Sequence, residues 1–327
     1  MESRAFAIAA HGVRKQYAGA KKRAALNGFD LEVRPGSVCG LLGPNGAGKT
    51  TVVKILSTLL QLDDGQASVA GFDVTTQARQ VREHIGLVSQ HAAVDEILPA
   101  RQNLIMFGQL NHLSSRQAKL RADELLDQFA LTDTGKTPVS KFSGGMRRRL
   151  DLAASLIVLP SVLFVDEPTT GLDPSGRREV WTAIRSLVAT GTTVLLTTQY
   201  LEEADQLAHR ISMLKDGRVI AEGTPDELKS ALGGDWLDLA LSIGSDIDAV
   251  TQIVQPVATG SIHIDSEANR ISVPVIDRTR ALITVATALS EARIELEDIS
   301  LRRPTLDEVF LHLTGPSETK NSQEVAS

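Results

Sequence analysis

The sequence predicts an α/β fold built on a parallel core sheet and followed by a small α+β domain, and three observations predict it. A glycine-rich turn inside GLLGPNGAGKTT sits between the apolar run Val38 to Leu42 and a helical pattern that begins at Thr51. Two later runs, Val162 to Val165 and Thr192 to Thr198, are continuously apolar or threonine-rich, as strands buried on both faces of a parallel sheet are. After Leu228 the pattern changes, and strands and helices recur in the order β-α-β-β-α-β of a split, ferredoxin-like sandwich.

The chain of 327 residues is long enough for two domains. The expected boundaries are 1–230 for the larger domain and 231–315 for the smaller, with 316–327 a polar, disordered tail. A net charge of -6 and a pI near 5.7 provide no excess of Lys and Arg to neutralise phosphates, so no nucleic-acid partner is expected. The single cysteine, Cys39, excludes an intramolecular disulfide and reads as a small buried hydrophobe. The first fifteen residues lack the apolar core of a signal peptide, and no charge-free apolar run reaches the roughly 18 residues of a membrane span. A membrane role is therefore expected to come through a partner.

Taken in order, Ala5 to Val13, Phe29 to Val33 and Val38 to Leu42 read as strands, with a turn at Arg34-Pro35-Gly36. Tyr17, in the loop between the first two, is either a ring for stacking on a purine or a half-buried anchor. The stretch Gly43, Pro44, Asn45, Gly46, Ala47, Gly48, Lys49, Thr50 reads as a phosphate-binding loop. Its glycines let backbone N–H groups turn inward around a polyphosphate, Lys49 supplies a point charge, and the Thr50 hydroxyl suits Mg²⁺. The helix that follows runs to about Leu60, and its positive N-terminal end favours an anion. Strands are then expected around Ala67 to Ala70 and Ile85 to Ser89. Gln90 ends the second, where an amide can position a metal-bound water or a γ-phosphate.

Residues 99–158 carry helical signals, including a capping box at Ser114 and Gln117, and read as a helical insert. A new helix begins after Ser143-Gly144-Gly145, whose hydroxyl and bare backbone make a second place for phosphate oxygens. Its apolar stripe is Leu150, Ala153, Ala154 and Ile157, and Arg147, Arg148 and Asp151 are expected to lie away from it, the arginine run forming a solvated face. The strand Val162 to Val165 delivers Asp166 and Glu167 at its C-terminal end. There Asp166 can hold Mg²⁺ through water and Glu167 can orient and polarise the attacking water. A tight turn, Pro168 to Pro174, leads into a helix from Ser175 to Ala189, and the strand ending at Thr198 presents Gln199.

In the smaller domain the expected elements are a strand from Trp236 to Ile243, a helix from near Ser245, and strands near Ser261 to Ile264 and Arg270 to Val275. A helix from Asp277 to Leu289 and a strand from Arg293 to Leu301 complete it. The helix holding Leu306, Val309, Phe310 and Leu313 either closes the domain core or packs on the larger domain or a dimer partner.

The ordered set GPNGAGKT, Gln90, FSGGMRRRL, LFVDEPT, GLDP and TTQYLEEAD resembles the nucleotide-binding subunit of ATP-binding-cassette (ABC) transporters over roughly residues 5–230. TTQYLEEAD and the C-terminal LRRPTLDEVFLHLTG narrow the resemblance to the daunorubicin/doxorubicin-resistance exporter type. The resemblance implies a phosphate-loop NTPase fold of the ABC ATPase kind, with a parallel core sheet, an antiparallel β subdomain and a helical subdomain. It implies ATP and Mg²⁺ as ligands and ATP hydrolysis as the activity. It assigns Tyr17 to adenine stacking, Lys49, Thr50 and Thr51 to phosphates and metal, and Gln90 to sensing and coupling. Asp166 would support the metal, Glu167 would be the catalytic carboxylate, and Ser143, Gly144 and Gly145 would meet the γ-phosphate of ATP held by a second copy, with Asp173 at the dimer contact. It further implies a head-to-tail homodimer and a separate integral membrane permease, placing the protein peripherally on the cytoplasmic face of the membrane. The exported compounds would be hydrophobic drugs or complex lipids. Gln199 departs from the histidine most of the family carries; it can hydrogen-bond a phosphate oxygen or water but cannot titrate. Rival readings are a soluble ABC ATPase without a transport role and a nucleotide-dependent regulatory or immunity protein.

Overall fold

The computed structural model describes residues 6–17, 24–89, 93–231, 234–242, 247–265 and 269–314. Gln90, the proposed start of a helix at Ser245 and the tail 316–327 lie outside them. The chain divides into two compact units, 1–225 and 226–327.

In the first unit, β1 (Ile8–Lys15), β2 (Leu26–Val33), β4 (Asp64–Val69) and β5 (Phe72–Asp73) form an antiparallel sheet in the order β2-β1-β4-β5. A second sheet has the order β10-β9-β3-β8-β7-β6. Its members are β3 (Val38–Leu42), β6 (Ile85–Val88), β7 (Val162–Asp166), β8 (Thr193–Thr198), β9 (Arg210–Lys215) and β10 (Arg218–Gly223). All neighbours in it are parallel except β10 on β9. Helix α1 (Lys49–Leu56) is shorter than the expected run to Leu60, because the chain turns through Thr58 in a left-handed conformation, φ 63°. Ala78–His84 forms α2, and the insert holds α3 (Ala100–Leu110), α4 (Ser115–Gln128) and α5 (Gly144–Ser155). The Ser114–Gln117 capping box that opens α4 is present in both directions. Then come α6 (Pro174–Ala189) and α7 (Leu201–Leu207).

Side chains alternate across the parallel strands, so each strand feeds two cores. Cys39, Leu41, Phe164 and Leu195 pack with Val52, Val53, Ile55 and Leu56 of α1 and with Ile8, Phe29 and Leu31 of the antiparallel sheet. Leu163, Val165, Val194 and Leu196 pack on the opposite face with Leu150, Leu152, Ala153, Val180 and Ile184 of α5 and α6. Cys39 is buried as expected, and burial pushes its thiol up to about 12.

Helix α8 (Pro225–Ser230) spans the division between units. The second unit contains β11 (Asp235–Leu241), α9 (Ile247–Val254), β12 (His263–Asp265), β13 (Arg270–Val275), α10 (Arg278–Glu291), β14 (Leu296–Arg302) and α11 (Leu306–Thr314). Its sheet, β12-β13-β11-β14, is antiparallel throughout. Leu237, Leu239 and Leu241 of β11 pack with Val250 and Val254 of α9 and Ala281, Val285 and Leu289 of α10. Among the described residues no helix is long and apolar enough to cross a membrane.

Candidate active site

In an open parallel sheet ligands bind outside the carboxyl ends of the strands, where the strand order switches direction. Here β3 lies between β8 and β9, and the glycine-rich loop leaves its carboxyl end. Gly48 ends that loop at φ 113°, and a Cβ there would lie 2.6 Å from the carbonyl oxygen of Ala25, so no side chain fits. The first turn of α1 begins directly after it, leaving N–H groups without intrahelical partners, which is how a helix start holds an anion. Lys49 is 5% exposed; its Nζ donates to the carbonyls of Gly43 at 2.7 Å and Pro44 at 3.3 Å and stands 3.3 Å from Glu167 Oε1. Pro44, Asn45, Gly46 and Thr50 are exposed, while Ala47 is buried and Gly43 ends the strand side of the loop. Thr51 Oγ1 lies 3.3 Å from the hydroxyl of Tyr17, whose ring is half exposed beside the loop.

Strand β7 brings Asp166, 5% exposed, and the half-buried Glu167 to the same edge of the sheet. Glu167 sits at φ 48°, a left-handed conformation that is costly for a residue with a side chain and persists where surrounding contacts over-determine it. Thr170 Oγ1 donates to Glu167 Oε2 at 3.4 Å. Gln199 is half buried just past β8, and among the described residues no hydrogen bond or ion pair holds its side chain.

Ser143, Gly144 and Gly145 start α5 on the other face of the sheet from α1. Ser143 is the N-cap, its Oγ accepting from Met146 N at 3.2 Å. Asp173 caps α6 in the same way, its Oδ1 accepting from Gly176 N at 3.1 Å. The two helix starts touch: a Cβ on Gly145 would lie 3.4 Å from Gly176 Cα. The structure therefore unites Tyr17, Lys49, Thr51, Asp166 and Glu167 in one place and Ser143, Gly145 and Asp173 in another, and no hydrogen bond or ion pair joins the two groups among the described residues.

The arginine run corrects the sequence reading. Arg148 and Asp151 are buried, at 7% and 4% exposure, instead of lying on a solvated face. Arg148 Nη1 donates to the carbonyl of Ser89 at 2.5 Å and lies 3.4 Å from Asp151 Oδ2, Nη2 donates to the carbonyl of Asp166 at 3.0 Å, and Asp151 Oδ1 accepts from Ala93 N at 2.8 Å. Arg147 pairs with Glu96 at 3.0 Å and Arg149 with Glu179 at 3.3 Å. Burial pushes the Asp151 carboxyl up, while the Ala93 N–H and Arg148 pull it back. A second residue the sequence reading missed is Glu203 of α7, 1% exposed, which accepts from Trp181 Nε1 at 3.1 Å and whose carboxyl burial also raises.

The donor set suits Mg²⁺, a hard cation that takes one or two carboxylates together with hydroxyl, water and phosphate oxygens. Asp166 is bonded by one oxygen only, Oδ1, among the described residues, and Thr50 offers an exposed hydroxyl.

Known proteins resemble this chain over most of its length. The pattern of the ABC transporter family matches residues 26–170. The chain is 57% identical to the daunorubicin resistance ATP-binding protein DrrA2 of Streptomyces coeruleorubidus, over 97% of this chain and 98% of the relative. It is 60% identical to DrrA3 of the same organism, over 94% of this chain and 96% of the relative. Among solved structures it is similar to the dimeric structure of a post-hydrolysis state of the ATP-binding cassette MJ0796 bound to ADP and Pi, with a TM-score of 0.61 and 25% identity, covering 66% of this chain and 98% of that one.

Proposed function

The chain belongs to the ABC transporter ATP-binding proteins of the daunorubicin-resistance type, and from that premise we propose that it hydrolyses Mg²⁺-ATP between two copies of itself to drive drug export through a separate membrane permease. The observation that carries the reading is the meeting of Lys49 with Glu167 at 3.3 Å, beside Asp166, at the carboxyl edge of β3 and β7. Lys49 and the loop N–H groups neutralise phosphate charge, and Thr50 and Asp166 would hold the metal, which would supply charge stabilisation to the phosphoryl group. Glu167 accepts hydrogen bonds from the attacking water and takes its proton. Tyr17 offers its ring to the base. Gln90 and Gln199 offer neutral amides to the γ-phosphate or water.

Because Ser143, Gly144 and Gly145 lie across the sheet from Lys49, we assign them to ATP held by the second copy, with Asp173 at the contact. One chain carries both halves, so a homodimer builds two equivalent sites. The segment 231–315 is assigned as an accessory domain of ferredoxin-like type, and the complex is placed on the cytoplasmic face of the membrane. Hydrophobic drugs of the anthracycline kind are the proposed cargo, as the names of the relatives support. The insert helices of 11, 14 and 12 residues are too short for the long coiled-coil arm of a soluble DNA-repair ATPase. The test is Glu167→Gln: ATP turnover is expected to fall about 10²–10⁴-fold with nucleotide binding retained. Turnover near the wild-type rate would contradict the assignment.

A further inference from the structure

We propose that Thr197 is the positioning residue for both carboxylates of this site, a role that rests on the ATPase reading given above. In the parallel pairing of β7 with β8, Asp166 is opposite Thr197. Side chains alternate along each strand, so Phe164 and Asp166 share one face of the sheet, and Leu195 and Thr197 share the same one. That face carries α1 and the phosphate loop. Its neighbour Thr198 is turned to the other face, where its Oγ1 accepts from Tyr200 N at 2.9 Å and its hydroxyl meets the buried Glu203.

Thr197 is fully buried, and among the described residues its hydroxyl has two partners, both in the site. Oγ1 donates to Asp166 Oδ1 and accepts from the backbone N–H of Glu167 at 3.2 Å. The Thr197 carbonyl accepts from the same N–H at 3.0 Å. A threonine hydroxyl has one proton to give, and that proton is committed to Asp166. One oxygen of Asp166 is thereby fixed, and the other has no hydrogen bond among the described residues and would be the one left for a metal-bound water. The shared N–H bond supports Glu167 in its left-handed conformation, φ 48°, from which its side chain reaches Lys49. Valine at 197 would keep the shape and the strand preference while removing both bonds of the hydroxyl.

The experiment uses the full-length protein, with wild type and Glu167→Gln as references. In Thr197→Val, kcat for ATP is expected to fall about tenfold, the scale set by loss of an outer-shell partner of a metal ligand. The affinity for the nucleotide without divalent metal should stay within about twofold, because phosphate contacts are untouched. Mn²⁺ binding in the presence of a non-hydrolysable ATP analogue, followed by electron paramagnetic resonance, should weaken by about tenfold. Thr197→Ser, which keeps the hydroxyl, should restore both. Unchanged kcat and Mn²⁺ affinity in Thr197→Val would overturn the proposal, and so would a loss that serine does not recover. The Mn²⁺ measurement needs no turnover, so it decides the role of Thr197 even where the wild type or Glu167→Gln failed to behave as the ATPase reading requires.

Discussion

Arg148 brings a guanidinium into the interior of the first unit, 7% exposed, where it bonds the chain at Ser89 and Asp166 and stands beside Asp151. A buried charge of this kind is tolerated because partners surround it, and removing one partner leaves the other charged and unpaired in a dry place. Arg148→Met is therefore expected to lower unfolding stability by about 3–5 kcal/mol in denaturant melts, and adding Asp151→Asn should recover part of the loss. A single substitution that costs nothing would show that the pair is not needed. From the residues alone this burial is not expected, because three consecutive arginines on a helix usually face water. The one signal was available: Asp151 lies three residues after Arg148, inside a helix otherwise rich in Leu and Ala. Lys49 and Glu167 were legible for the opposite reason, since a phosphate loop and a carboxylate after a buried strand are set by local chemistry.

At the scale of elements, the parallel strands β3, β6, β7 and β8 were readable, whereas β9 (Arg210–Lys215) and the register were not. Thr197 and Thr198 look alike in the sequence, and only the pairing of β7 with β8 separates the one that meets Asp166 from the one on the opposite face. Strand ends moved by a few residues, as at β1 (Ile8–Lys15) and β14 (Leu296–Arg302), because ladder partners decide where a strand stops. In the second unit, Arg302 of β14 joins Asp238 of β11 at 2.5 Å and Glu308 of α11 at 2.7 Å. Burial alone would raise the Glu308 carboxyl, but the hydrogen bonds from Arg302 and Thr305 outweigh it and hold it below its ordinary value of 4.5. A depressed carboxyl stabilises the fold above its unfolded value, and that contribution disappears as pH falls through the folded value. The second unit should thus lose stability as pH drops below about 4.5. Glu308→Gln should be less stable than wild type at neutral pH and show a flatter acid limb in melting temperature against pH. Parallel curves for the two proteins would count against the network.

For the whole molecule the decisive fact is the separation of the two anion-ready groups. The loop at Lys49 lies on the α1 face and the helix start at Ser143 on the α5 face, which is the placement that the proposed sandwich of two copies requires. The order of motifs was enough to single out both segments, while their placement on opposite faces needed the folded chain. Cys39 is buried with its thiol pushed up to about 12, so introduced thiols are the reactive ones. The direct measurement mixes a chain carrying Asn45→Cys with a chain carrying Gly144→Cys, both in the Glu167→Gln background, and treats them with a short bifunctional thiol reagent. The account predicts a bridge between the two different chains that forms with Mg²⁺-ATP and is lost without it. Failure of the two chains to bridge when ATP is bound, or bridging that is the same with and without nucleotide, would contradict it.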